Sequence, residues 1–114
     1  MTAFNVVRFQ LKPGTEARFL DAHRSGRANW PGLKRGTIIR TGAQTYCLIG
    51  EWYDVEALAA ARPAMIATLD GFRELLQEIA TGTGVTDAVS GPAVLDLPDP
   101  VTAGRPLEPQ RPSA

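Results

Sequence analysis

Phe4-Asn5-Val6-Val7-Arg8-Phe9-Gln10-Leu11, closed by Lys12-Pro13-Gly14, is the stretch on which the fold turns. Valine and phenylalanine favour extended backbone, and the proline–glycine pair ends the run in a turn. Side chains alternate across a strand, so Asn5, Val7, Phe9 and Leu11 share one face while Phe4, Val6, Arg8 and Gln10 share the other. Both faces carry large apolar groups. Each therefore needs a layer packed against it.

Working outward, Thr15 to Ala28 is rich in helix formers, and the spacing of Phe19, Leu20 and His23 predicts one apolar helix face. Asn29-Trp30-Pro31-Gly32 interrupts it. Leu33 to Arg40 resumes an extended pattern, Gly42-Ala43-Gln44 predicts a hairpin turn, and Thr45 to Tyr53 has the composition of a central strand. Asp54 is an N-cap ahead of Val55-Glu56-Ala57-Leu58, and Pro63 falls where a second helical piece would begin with its missing N–H unneeded. Met65, Leu69, Phe72, Leu76 and Ile79 form a single stripe, predicting a helix that runs to about Ala80. Val85 to Val89 and Ala93 to Leu97 read as a last strand interrupted by Ser90-Gly91-Pro92. The expected domain covers residues 1–97, and residues 98–114 form a proline-rich tail without regular structure of its own.

Composition narrows the function classes. The chain has 114 residues, 44% of them hydrophobic, with 12 basic residues balancing 12 acidic ones. Balanced charge removes the bulk electrostatic argument for nucleic acid or an anionic membrane surface as partner. No apolar run approaches membrane-spanning length, and the first residues lack a signal-peptide pattern, so the expected location is cytoplasmic. With one cysteine, Cys47, and one histidine, His23, the chain alone cannot assemble a zinc site of Cys and His ligands. The charges are unevenly placed. No acid lies between Asp21 and Glu51, where Arg24, Arg27, Lys34, Arg35 and Arg40 fall. That run either steers an anionic ligand or is an ordinary solvated face.

The predicted order of strand, helix, strand, strand, helix, strand is the ferredoxin-like βαββαβ arrangement of an α+β domain: an antiparallel sheet with both helices on one face. The second face would expose Phe4, Val6, Cys47 and Ile49. A homodimer packed sheet to sheet would cover them. Arg8 and Glu51 fall on that same face and are expected to pair there.

Val6 to Gly14, the helix opening Thr15-Glu16 with Phe19-Leu20, and Leu48-Ile49-Gly50-Glu51-Trp52-Tyr53-Asp54 leading into Glu56-Ala57-Leu58 resemble the antibiotic biosynthesis monooxygenase domain family. The resemblance spans roughly residues 4–97. It implies a dimeric α/β barrel with a pocket between each subunit's sheet and helices. It also implies oxygenation of quinol-like substrates without metal or flavin cofactor in some members, and heme degradation in others. The heme-degrading members carry a histidine ligand after the strand-three tryptophan, and here no histidine follows His23.

The pocket so implied would be lined by Asn5, Val7, Phe9 and Leu48 from the sheet, by Leu69 and Phe72 from the helical stripe, and by Trp30 at its mouth. Trp52 matches the family tryptophan that borders substrate, with Gly50 leaving room beside it; the alternative is a core tryptophan. His23 alone has an ordinary pKa near neutrality, which makes it the candidate general base; the alternative is a hydrogen-bonded core histidine. Tyr46 is a candidate donor to a ligand oxygen, and Cys47 reads as a small apolar filler. The leading expectation is a cofactor-independent monooxygenase, an oxidoreductase acting on a small aromatic or quinol-like molecule. The alternative is a non-catalytic protein of the same fold that binds or senses a small hydrophobic ligand.

Overall fold

The structure, a computed structural model, describes residues 1–79, 84–98 and 100. Strand β1 (Ala3–Leu11) leads into helix α1 (Glu16–Gly26), which tightens into a 3₁₀ turn at Arg27–Asn29. Strands β2 (Leu33–Arg40) and β3 (Thr45–Trp52) form a hairpin, helix α2 (Val55–Phe72) follows, and a second 3₁₀ turn (Arg73–Leu75) delivers the chain to β4 (Leu76–Gln77) and β5 (Thr86–Pro92). The sheet is antiparallel in the order β2-β3-β1, with β4 and β5 sharing the remaining edge of β1. This is the expected α+β, ferredoxin-like arrangement. Among the described residues no helix is long and apolar enough to cross a membrane.

Register assigns the faces. Asn5 lies opposite Gly50, Val7 opposite Leu48 and Phe9 opposite Tyr46, so these six side-chain positions look toward the helices. There Phe9, Phe19 and Phe72 meet edge to face, with centroids 5.1 to 5.9 Å apart, and seal one end of the core. Helix α2 starts where Asp54 accepts a hydrogen bond from the Ala57 backbone N–H at 2.7 Å. Helix α1 approaches α2 closely because Gly26 has no side chain: a Cβ there would stand 2.7 Å from the Thr68 hydroxyl oxygen.

Three local expectations are corrected. Pro63 does not begin a helix but lies inside α2. It is tolerated because it and Ala59, whose carbonyl its missing N–H would have served, are both exposed and that carbonyl can be hydrated. The helix also ends at Phe72 and not near Ala80, since Leu75 and Leu76 are claimed by β1: the Lys12 N–H donates to the Leu75 carbonyl at 2.8 Å, and Leu76 pairs with Leu11. Finally, β5 runs through Ser90-Gly91-Pro92 and stops there, with Pro92 at the strand end where its missing N–H breaks no ladder. Ala93 adds one hydrogen bond to the Thr2 carbonyl at 2.8 Å, but Ala93 to Leu97 form no strand. The tail expected from residue 98 lies outside the described residues, apart from Pro98 and Pro100.

The sheet face away from the helices carries Phe4, Val6 and Ile49 half-buried, with Ile39 and Val89 exposed at 42% and 65%. Cys47, expected to need a cover, is already buried within the single chain. The expected pairing of Arg8 with Glu51 does not form. Arg8 faces Asp87 across the β1–β5 ladder and bridges it at 2.7 Å, whereas Glu51 sits opposite Phe4 and bridges Lys34 at 3.5 Å. Arg8 thus meets its acid on the neighbouring strand of its own sheet.

Candidate active site

A cavity of about 390 Å³ opens between the sheet and α2. Strands β1 and β3 floor it with Asn5, Val7, Phe9 and Leu48, α1 and its turn contribute His23 and Trp30, and α2 walls it with Leu58, Met65, Leu69 and Phe72. Arg62, Thr86 and Ser90 also line it, and the Arg62 guanidinium donates to the Ser90 hydroxyl at 2.9 Å, a basic group available to an anion. A second cavity of about 410 Å³ lies between α1 and β2, with Arg24 and Arg27 on its lining. His23, Trp30 and Leu48 line both. Both volumes are in the ordinary range for small-molecule sites.

His23 is fixed by a hydrogen bond between Nδ1 and the Phe19 carbonyl at 2.9 Å. A carbonyl only accepts, so Nδ1 carries the proton and the neutral ring keeps a free lone pair on Nε2. Burial among aromatic rings lowers the His23 pKa from its ordinary 6.5, with the Phe19 hydrogen bond opposing part of that shift. The ring is therefore a neutral base at physiological pH. Its neighbours are Phe19, Phe72 and Phe9, at centroid distances of 4.7, 4.9 and 5.8 Å, and Trp30 at 6.2 Å.

Asn5 is oriented by the same logic. The Trp52 indole N–H donates to Asn5 Oδ1 at 2.8 Å. Since an indole nitrogen cannot accept, the amide oxygen must face Trp52 and the NH₂ group is turned elsewhere, toward Met65 Sδ at 4.0 Å. Gly50 makes the pairing possible, because a Cβ there would stand 2.9 Å from Trp52 Nε1 and collide with Asn5 Oδ1. The cavity thus holds an amide donor from Asn5 and an acceptor on His23, both held in place by neighbours outside it.

All seven residues assigned to a pocket wall from the sequence, Asn5, Val7, Phe9, Trp30, Leu48, Leu69 and Phe72, line this one cavity. His23 joins them. Trp52 and Tyr46 do not: neither lines either cavity. Trp52 is 1% exposed behind Asn5, so the aromatic wall comes from Phe9, Trp30 and Phe72. Tyr46 sits at the opposite end of α1, its ring on Phe19 at 5.5 Å and its hydroxyl donating to the Glu16 carboxylate, which also receives Arg40. Lining residues missed from the sequence were Thr86, Ala88 and Ser90 of β5, which share a face by alternation, with Val89 between them, and Leu58, Arg62, Ile66 and Thr68 of α2. Among the described residues no group of three or more His, Cys, Asp or Glu side chains is placed to hold a metal ion.

No family model matches the sequence, and no curated protein matches it. Solved structures do. SnoaB from Streptomyces nogalater, described as a cofactor-independent oxygenase, is 23% identical, with a TM-score of 0.66 over 86% of this chain and 98% of that one. A protein from Chloroflexus aurantiacus, assigned provisionally as an antibiotic biosynthesis monooxygenase, is 12% identical, with a TM-score of 0.64 over 86% of this chain and 98% of that one. Rv0793 from Mycobacterium tuberculosis is 16% identical, with a TM-score of 0.65 over 87% of this chain and the whole of that one. The fold of this chain is the fold of the antibiotic biosynthesis monooxygenase structures.

Proposed function

We propose that the chain is a cofactor-independent monooxygenase acting on a small aromatic, quinol-like substrate. One observation carries the reading: a neutral histidine, with its tautomer fixed so that Nε2 is the free base, on the wall of an aromatic-lined cavity. Hydroquinones react with oxygen as their anions, so removing the phenolic proton is the step a protein base accelerates. His23 Nε2 takes that proton. The Asn5 amide NH₂ donates to the resulting oxyanion, and Trp52 acts through Asn5 as a positioning residue. The substrate anion then reduces dioxygen, a carbon–oxygen bond forms at the ring carbon, and the hydroperoxide loses water. Hydroquinone plus O₂ gives hydroxyquinone plus H₂O. All four electrons come from the substrate, which needs no external reductant.

Oxygen consumption with a panel of hydroquinones tests this. His23→Ala is expected to lower kcat by about a hundredfold or more, the usual worth of a positioned general base. Equal rates for both proteins sink the assignment. The wild-type rate should rise with pH through a pKa below 6.5 and then level off, since burial favours the neutral ring.

The working form we propose is a homodimer joined by the open sheet faces. Val6, Ile49, Ile39 and Val89 lie on that face, and its exposed part is what a second sheet would cover. Replacing exposed Val89 with Lys should shift sedimentation toward the monomer; an unchanged dimer would place the interface elsewhere.

A further inference from the structure

Trp30 lines the cavity, and the proposed chemistry makes no use of its indole N–H. The residue is buried, with 6% of its surface exposed. Among the described residues its Nε1 has no hydrogen-bond partner and is fully shielded. An unpaired buried N–H costs on the order of 1–3 kcal/mol, so folding tolerates it only where something else compensates. The other tryptophan shows the ordinary arrangement: Trp52 Nε1 donates to Asn5 at 2.8 Å.

The position of Trp30 supplies a reason. Its ring stands edge to face with His23 at 6.2 Å and lines both cavities, so space lies on both of its sides. To meet a ligand the indole N–H must turn from its shielded position toward the cavity between the sheet and α2, whose wall the ring already forms. Val7, Phe9, Leu48, Leu69 and Phe72 there offer no acceptor, and although the His23 ring and the Thr68, Thr86 and Ser90 hydroxyls line the same cavity, none of them is bonded to the Trp30 N–H. We propose that the Trp30 indole N–H is a recognition donor for the ligand, reserved for a carbonyl or phenolate oxygen on a planar ring system. Together with His23 Nε2 as acceptor, it selects ligands bearing a hydroxyl and a carbonyl-type oxygen on one flat frame. Purely apolar rings of the same shape gain nothing from it. The inference rests on the cavity being the ligand site, as the oxygenase reading requires, but not on turnover.

The test uses two small bicyclic probes of nearly equal shape, α-tetralone with a carbonyl and tetralin without. The chain has two tryptophans, so its ¹H–¹⁵N spectrum holds two indole signals, and the Trp30→Phe variant assigns them. On adding α-tetralone the Trp30 indole proton should move downfield, whereas tetralin should not move it; the Trp52 signal, already bonded, serves as internal control. Trp30→Phe should weaken α-tetralone binding by about fivefold, the worth of one neutral hydrogen bond, and leave tetralin within about twofold. An unmoved Trp30 proton, an equal loss for both probes, or no α-tetralone binding overturns the proposal. If the variant fails to fold, backbone-linked assignment of the wild-type spectrum identifies the Trp30 signal, and its shift decides. A shifted indole in a protein that oxidises no hydroquinone would remove the oxygenase reading and keep the donor; hydroquinone oxidation with a silent Trp30 would do the reverse.

Discussion

At the start of α1 the Tyr46 hydroxyl donates to Glu16, and Arg40 binds the same carboxylate oxygen. Toward the other end of that helix, His23 keeps one ring nitrogen without a protein partner among the described residues and Trp30 keeps its N–H unpaired. Both ends pack on the same ring: Phe19 lies 5.5 Å from Tyr46 and 4.7 Å from His23. The hydrophobic surroundings are thus shared and the difference is in hydrogen bonding. A polar group whose partners are all within the chain contributes to stability. One left open at a cavity contributes to recognition, and the fold carries its cost.

The larger effect that separates the two ends comes from Tyr46→Phe. It removes a buried hydroxyl from a charged acceptor and should cost about 1–2 kcal/mol in urea unfolding. Hydroquinone oxidation by the folded variant should stay within about twofold of wild type, because Tyr46 lines neither cavity. A large fall in rate without loss of stability would break the comparison and return Tyr46 to the site, where its residue type alone had suggested it belonged.

What the sequence disclosed and what it hid follow one physical line. Alternation along β1 and β3 and the Met65, Leu69, Phe72 spacing on α2 are local rules, and the residues they group together line one cavity. The same spacing failed at Leu76 and Ile79, because β1 offers Leu76 a ladder partner that no helical pattern announces. Tyr46 and Trp52 stand outside both cavities for a related reason. Each is on the helix side of the sheet as alternation requires, but Glu16 and Asn5, 30 and 47 residues away in the chain, take up their polar atoms. Which polar atom ends up without a partner is decided by tertiary pairing. Trp30 stood in the sequence as a turn residue at a pocket mouth, with nothing to mark its nitrogen as the unpaired one.

The smaller effect tests the open end through pH. Burial lowers the His23 pKa in the folded chain below its ordinary 6.5, so as pH falls through that value the unfolded chain takes up a proton before the folded one does. Stability therefore declines as pH drops from the unfolded pKa toward the folded one, and above about 6.5, the unperturbed value, this contribution is level. In His23→Phe, where an aromatic ring refills the cluster of Phe9, Phe19 and Phe72, that decline should vanish. Urea midpoints at pH 7.5, 6.5 and 5.5 measure the difference: the wild type should lose ground to the variant on acidification. Parallel curves would mean that His23 exchanges its proton as freely folded as unfolded. That would require solvent or an acid at the ring, and the open end of α1 would then be as fully paired as the closed one.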